Sequence, residues 1–155
     1  MTLSIGDRAP EFSLLDTDGN LVTLSALSGQ RVVLYFYPRD NTPGCTKEAC
    51  AFRDNYAEFR SQNVAILGVS ADDAKSHAKF TAKFQLPFPL LCDVDAKVAT
   101  EYESYGKKKF MGKEYMGMFR NTFVIDADGK IEKIYRNVKA EVHPAQVLAD
   151  LVSTD

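Results

Sequence analysis

Apolar residues recur along this chain with two periods, and the period separates strands from helices. Phe12 to Leu15 and Leu21 to Leu24 flank Asp16-Thr17-Asp18-Gly19-Asn20, whose Asp-Gly and Gly-Asn pairs supply the positive φ angles of a tight turn. The chain is therefore expected to open with a β-hairpin. Val32 to Tyr37 is an unbroken β-branched and aromatic run, the pattern of a strand buried on both faces, and Pro38 ends it by removing a ladder donor. Between Thr46 and Gln62, Ala49, Phe52, Tyr56 and Phe59 recur at intervals of three and four, which predicts a helix with one apolar stripe.

The alternation continues. Val64 to Val69 reads as a buried strand, Asp72 to Phe84 as a helix with acidic residues in its first turn, and Leu90 to Cys92 as a short strand. Ala96 to Tyr105 is predicted as a short helix. Phe119 to Ile125 and Lys130 to Tyr135 form a second hairpin, and Pro144 to Val152 is a closing helix with Pro in its permitted first turn. Alternating β and α elements, then a hairpin and a terminal helix, describe an α/β domain: a mixed central sheet flanked by helices, as in a thioredoxin-like fold. At 155 residues the chain suits one such domain, 1–155.

Composition narrows the function. Apolar residues are 45% and charged residues 26%, as in ordinary globular domains, and the formal charge of −2 lacks the basic footprint of a nucleic-acid or acidic-membrane binder. Neither a bilayer-length apolar run nor an apolar signal core is visible, so a cytoplasmic location is expected. The three cysteines, Cys45, Cys50 and Cys92, are too few and too odd for a disulfide framework and point to free or catalytic thiols.

Cys45 has the most informative surroundings. In Pro38-Arg39-Asp40-Asn41-Thr42-Pro43-Gly44-Cys45, Thr42 suits an N-cap and Pro43 the first helical position, which puts Cys45 at N3, where a capping-box glutamate would sit. Unpaired backbone N–H groups and the positive end of the helix dipole converge there and favour a nucleophilic thiolate over the thiol. The Thr42 hydroxyl can donate and accept, and Gly44 leaves room for a small molecule to approach, a pocket that suits a peroxide.

Cys50 follows five positions later. Five residues of intact helix separate the Cα atoms by about 8 to 9 Å, whereas a disulfide rarely spans more than about 7 Å, so the first turns must unwind if these two cysteines pair. Cys92, in Leu90-Leu91-Cys92, reads as a buried, inert thiol. His77 and His143 are isolated from the cysteines and from each other, which argues against a metal site; both read as surface residues. Lys107-Lys108-Lys109 reads as a solvated loop. The stretch from Phe110 to Phe119 is expected to pack beside the active site, with a partner-binding surface as the alternative. Glu48 is either part of the Cys45 network or a solvated helix residue. A thiol-disulfide oxidoreductase and a redox-responsive binding protein stand as competing functions, although the Cys-x-x-Cys of the former is missing.

Pro38-x-x-x-Thr42-x-x-Cys45 resembles the active-site signature of the peroxiredoxins, and Thr-Pro-Gly-Cys-Thr-Lys-Glu-Ala-Cys is similar to their bacterioferritin comigratory protein, or peroxiredoxin Q, subgroup. The likeness extends from Gly6-Asp7-Arg8-Ala9-Pro10-Glu11-Phe12 to Phe123-Val124-Ile125-Asp126-Ala127-Asp128-Gly129. It implies a peroxidatic Cys45, a resolving Cys50, a Thr42 that orients the peroxide, a Pro38 that shields the pocket and an active-site Arg120. Spacing alone does not choose Arg120 over Arg39 or Arg53. The resemblance further implies reduction of hydrogen peroxide and organic hydroperoxides, an intramolecular Cys45–Cys50 disulfide, recycling by a thioredoxin or glutaredoxin-like reductant, and no metal or organic cofactor. It also implies a monomer, with a dimer as the alternative.

Overall fold

The computed structural model describes residues 2–153, and its framework is a mixed seven-stranded sheet. The chain runs β1 (Ser13–Leu15), β2 (Leu21–Thr23), a 3₁₀ turn (Ser25–Leu27), β3 (Arg31–Phe36), α1 (Pro43–Asp54), α2 (Tyr56–Ser61), β4 (Val64–Ser70), α3 (Ala74–Phe84) and β5 (Leu90–Cys92). It continues through α4 (Lys97–Glu101), β6 (Tyr105–Phe110), β7 (Lys113–Met118), β8 (Thr122–Ile125), β9 (Ile131–Tyr135) and α5 (His143–Ser153). In the sheet the strands lie in the order β2-β1-β5-β4-β3-β8-β9, with β3 parallel to β4, β4 parallel to β5, and β8 antiparallel to β3.

Strand β3 is central, and its continuous apolar sequence follows from that position. Val32, Leu34 and Phe36 enter one core with Leu67, Val69, Tyr102 and Phe123. Val33, Tyr35 and the following Tyr37 enter the other, with Ala49, Phe52, Phe80 and Val147 from α1, α3 and α5. Successive side chains point to opposite faces, so a strand covered twice needs apolar residues at both parities. The Tyr35 ring stacks on Phe52 with centroids 4.6 Å apart, which seats α1 directly over β3.

Several boundaries differ from those the periodicity predicts. The helix expected from Thr46 to Gln62 is two helices, divided at Asn55, whose side-chain amide donates to the Ala51 carbonyl at 2.8 Å. That bond competes with the continuing backbone ladder, a habit of asparagine that apolar spacing does not register. The helix expected over Ala96 to Tyr105 stops at Glu101, where Glu103 turns the chain with a φ of 56° and sends it into β6. Lys107 to Lys109 are therefore strand residues, paired with β7 around a Met111-Gly112 turn whose φ angles are both positive. Polar and apolar residues are mixed there because a two-stranded ribbon has no deep core to enforce alternation. Met118 at its base is buried, whereas Met111 at its tip is 88% exposed. No helix among the described residues is long and apolar enough to cross a membrane.

Both histidines are buried, not on the surface. His77 sits between Asp40 and the Leu91 carbonyl, and His143 places Nε2 2.8 Å from the Thr122 hydroxyl while its Nδ1 has no partner. Isolation in sequence says nothing of tertiary neighbours. Burial pushes the His143 pKa down to about 4, with the Arg120 charge adding to it. The unfolded chain consequently takes up a proton at this residue between pH about 6.5 and 4 that the folded chain refuses, so this contribution to stability is intact above that window and lost as pH falls through it. Replacing His143→Gln should flatten the difference in urea-unfolding free energy between pH 7 and pH 4.5 by up to about 3 kcal/mol. An unchanged difference would place the imidazole in a solvated setting.

Candidate active site

Helix α1 begins as its sequence dictates: Thr42 is the extended N-cap, Pro43 follows at N1, and Cys45 stands at N3. The Thr42 hydroxyl does not cap the helix; it donates to the Arg39 carbonyl at 3.0 Å and braces the preceding loop. That hydroxyl keeps its acceptor lone pairs. Cys45 is 1% exposed, on the α1 face that packs against β3, so the N-terminal dipole acts on the sulfur with little water to screen it.

Arg120 reaches this sulfur from the segment just before β8. Its Nη2 donates to Cys45 Sγ at 3.4 Å and its Nη1 to Glu48 Oε1 at 2.7 Å. Because β8 pairs antiparallel with β3, the start of β8 falls beside the end of β3, from which the loop to Cys45 departs. Sequence separation of 75 residues thus becomes direct contact. Gly44 fits the same guanidinium: a Cβ there would lie 3.0 Å from Arg120 Nη2. The room that Gly44 leaves is taken by arginine.

Glu48 is fully buried. One carboxyl oxygen accepts from Arg120, and the other, Oε2, has no partner. Burial raises its pKa to about 7 against the opposing pull of Arg120, which is physically consistent with a proton resting on the unpartnered oxygen. Arg120 itself is pulled down by burial but held more firmly charged by Glu48 and Cys45. A second cation approaches from the ribbon: Lys108 Nζ donates to the Met118 carbonyl at 2.8 Å, and burial followed by repulsion from Arg120 lowers its pKa while Cys45 opposes the shift.

The structure thus gathers Cys45, Gly44, Glu48 and Arg120 into one cluster. Pro38 is half-buried where the chain leaves β3, and Cys50 is half-buried farther along α1, with its thiol free. Arg53 is spent elsewhere, donating to the Phe84 carbonyl, and Arg39 is exposed. Cys92 is half-buried instead of enclosed; burial, then the carboxylates of Asp73, Asp40, Asp16 and Asp72, push its thiol pKa up and keep it protonated. Glu48 left one sequence signal, its position one turn after Cys45. Lys108 left none, since a lysine in a polar run announces nothing about which carbonyl its ammonium will find.

Comparison with known proteins places the chain in a family. The pattern of the AhpC/TSA family matches residues 5–134. Peroxiredoxin Bcp of Bacillus subtilis is 46% identical over 151 residues, covering 97% of this chain and 96% of that protein. Among solved structures, a mutant of Xylella fastidiosa PrxQ superimposes with a TM-score of 0.94 at 34% identity, covering 99% of this chain and 98% of that one. The bacterioferritin comigratory protein of Xanthomonas campestris, whose structures address alkyl peroxide reduction, gives a TM-score of 0.88 at 37% identity over 92% and 91% of the two chains. A buried cysteine at a helix N-terminus beneath an arginine, on a thioredoxin-like sheet, accompanies this likeness along almost the whole chain, which belongs to the AhpC/TSA family and is a peroxiredoxin of the Bcp, or PrxQ, subgroup.

Proposed function

We propose that the protein is a thiol peroxidase that reduces hydrogen peroxide and organic hydroperoxides at Cys45. The observation that carries this reading is the Cys45 sulfur at N3 of α1 with Arg120 Nη2 3.4 Å away. With the helix N-terminus and the guanidinium facing it, the sulfur attacks the terminal peroxide oxygen as the thiolate. The O–O bond breaks, the sulfur loses two electrons to become a sulfenic acid, and the departing alkoxide or hydroxide takes a proton to leave as alcohol or water. Arg120 and the backbone N–H groups of the first turn stabilise the charge developing on that oxygen. Thr42 orients the peroxide, and Pro38 shields the pocket from water. The alkyl peroxide activity addressed in the Xanthomonas campestris relative supports organic hydroperoxides as substrates.

Cys50 resolves the intermediate. Its thiol attacks the sulfenic sulfur, water leaves, and a Cys45–Cys50 disulfide forms, which a thioredoxin or glutaredoxin-like dithiol reduces by exchange. Both cysteines lie in one continuous helix, where their Cα atoms are about 8 to 9 Å apart, so the first turns of α1 unwind in each cycle. As the family resemblance implies, we read the protein as a cytoplasmic monomer, with a dimer as the alternative, whose cycle uses cysteine chemistry and a dithiol donor without a metal or organic cofactor.

Replacing Cys45→Ser should abolish peroxide consumption in a thioredoxin-coupled assay. With Cys50→Ser, one equivalent of peroxide should be consumed before turnover stalls or the sulfur over-oxidises, as read by intact mass; undiminished steady-state turnover would remove Cys50 from the resolving role.

Loss of the guanidinium in Arg120→Gln should slow Cys45 oxidation by about 10²-fold or more, a typical consequence of deleting one donor to a developing oxyanion. Rapid-mixing kinetics check this.

Glu48 has a pH signature. As pH rises through about 7 it loses its proton and becomes an anion that competes with the thiolate for Arg120. The oxidation rate per thiolate should therefore fall across that range in the natural protein and stay level in Glu48→Gln. Parallel slopes would exclude Glu48 as the titrating group.

A further inference from the structure

The loop that delivers Cys45 is tied down at a second place, away from Arg120. Asp40 lies midway between Pro38 and Thr42, and its side chain is 3% exposed. Its carboxylate accepts from Tyr37 Oη at 2.6 Å, Ser76 Oγ at 2.8 Å and His77 Nδ1 at 2.7 Å. Its backbone N–H donates to Asp72 Oδ2 at 2.8 Å, which also accepts from Ser70 Oγ at 2.7 Å. Chain leaving β3 is thereby fastened to the end of β4 and the first turns of α3.

His77 completes the anchor in a defined protonation state. Its Nδ1 faces a carboxylate and its Nε2 faces the Leu91 carbonyl at 2.9 Å, and both are acceptors. With an acceptor facing each ring nitrogen, the surroundings favour hydrogen on both, the imidazolium form. Burial disfavours that charge, but Asp40, the Leu91 carbonyl and Asp72 outweigh it and raise the pKa. Asp40, Asp72 and His77 offer ligand atoms within 4.8 Å of one another, as a cation site would, yet both imidazole nitrogens are already engaged as donors.

We infer that Asp40 and His77 are positioning residues for the peroxidase cycle: their buried ion pair holds the Pro38–Thr42 loop against α3 and biases the protein toward the closed, peroxide-reactive arrangement over the unwound, disulfide-forming one. This rests on the roles given above to Cys45 and Cys50. Neither residue touches the sulfur. They act through the loop, whose Thr42 end is the N-cap of α1 and whose Pro38 end is the pocket wall. While the anchor holds, N-terminal N–H groups and Arg120 converge on Cys45; when α1 unwinds, the anchor opposes movement of the residues just before the helix. Weakening it therefore moves the two halves of the cycle in opposite directions.

The test uses the full chain with all three cysteines, reduced, mixed rapidly with hydrogen peroxide, quenched by alkylation and mapped by peptide mass. It yields two constants, one for Cys45 oxidation and one for Cys45–Cys50 bond formation. In Asp40→Asn and His77→Leu, oxidation should slow by about tenfold, the scale on which a displaced reacting group loses rate, while disulfide formation quickens. More peroxide should then be needed to over-oxidise Cys45. His77→Asn, whose amide can donate toward Asp40 in place of Nδ1, should recover part of the lost oxidation rate. Because each single change leaves a buried charge without its partner, the double variant Asp40→Asn/His77→Leu provides a fold-tolerant check, and its ratio of constants should resemble that of the single variants.

A merely structural role would lower the melting temperature and leave the ratio of the two constants at its natural value, and that result would overturn the inference. So would a proportional fall in both constants. A natural chain that consumes peroxide without forming the Cys45–Cys50 bond would instead overturn the Cys50 assignment and this inference with it. That outcome is distinguishable because it appears before any variant is made.

Discussion

Arg120 brings one positive charge to two groups that both draw on it, the Cys45 sulfur at 3.4 Å and the buried Glu48 carboxyl at 2.7 Å. Burying two potential anions against one guanidinium, with the Lys108 ammonium held on the Met118 carbonyl, leaves charge compensation tight, and the arrangement eases that conflict by making Glu48 hard to ionise. Below the point where Glu48 ionises, the guanidinium is at the disposal of the thiolate. Gly44, the antiparallel placement of β8 beside β3 and the stack of Phe52 on Tyr35 all serve this contact, since each brings the arginine and the helix N-terminus to the same point.

A second constraint runs against the first. The intact first turn of α1 makes the sulfur reactive by collecting backbone N–H groups and the helix dipole around it, but that same turn holds Cys45 and Cys50 too far apart to bond. Both cannot be optimal in one conformation, so the chemistry is divided between a closed state and an unwound one. What matters for catalysis is the free-energy difference between them. On the roles inferred above, contacts made in the closed state set that difference: Arg120 on the sulfur, and the Asp40–His77 pair on the loop before the helix.

The sheet was legible because burial on two faces demands apolar residues at both parities, and β3 and β4 show that demand in uninterrupted runs. The start of α1 was legible because cap and first-turn preferences are local. Boundaries that depend on the conformation of one residue were not: Asn55, its amide on the Ala51 carbonyl, divides a helix that apolar spacing draws as continuous, and Glu103, with a positive φ, turns the chain out of another early. The histidines were misread for a related reason. A titratable side chain isolated in sequence can still be enclosed in space by residues distant along the chain, as His77 is by Asp40 and Leu91, and as His143 is by Thr122 and Phe52.

By itself, the sequence determined the α/β alternation, the central strand, the loop that follows it and the placement of a cysteine at the third position of a helix, because each is settled by residues within a few positions of one another. The family likeness carried in the Thr-Pro-Gly-Cys motif pointed to Arg120, but nothing local distinguished that arginine from Arg39 or Arg53. Only the tertiary structure decided which guanidinium meets the sulfur, that Glu48 is buried with one oxygen unpartnered, and that Asp40 and His77 form an ion pair. Those are pairings between groups 37 to 75 residues apart along the chain. Their energies depend on distance and on exclusion of water, and neither quantity exists until the sheet has brought β3, β8 and α3 together.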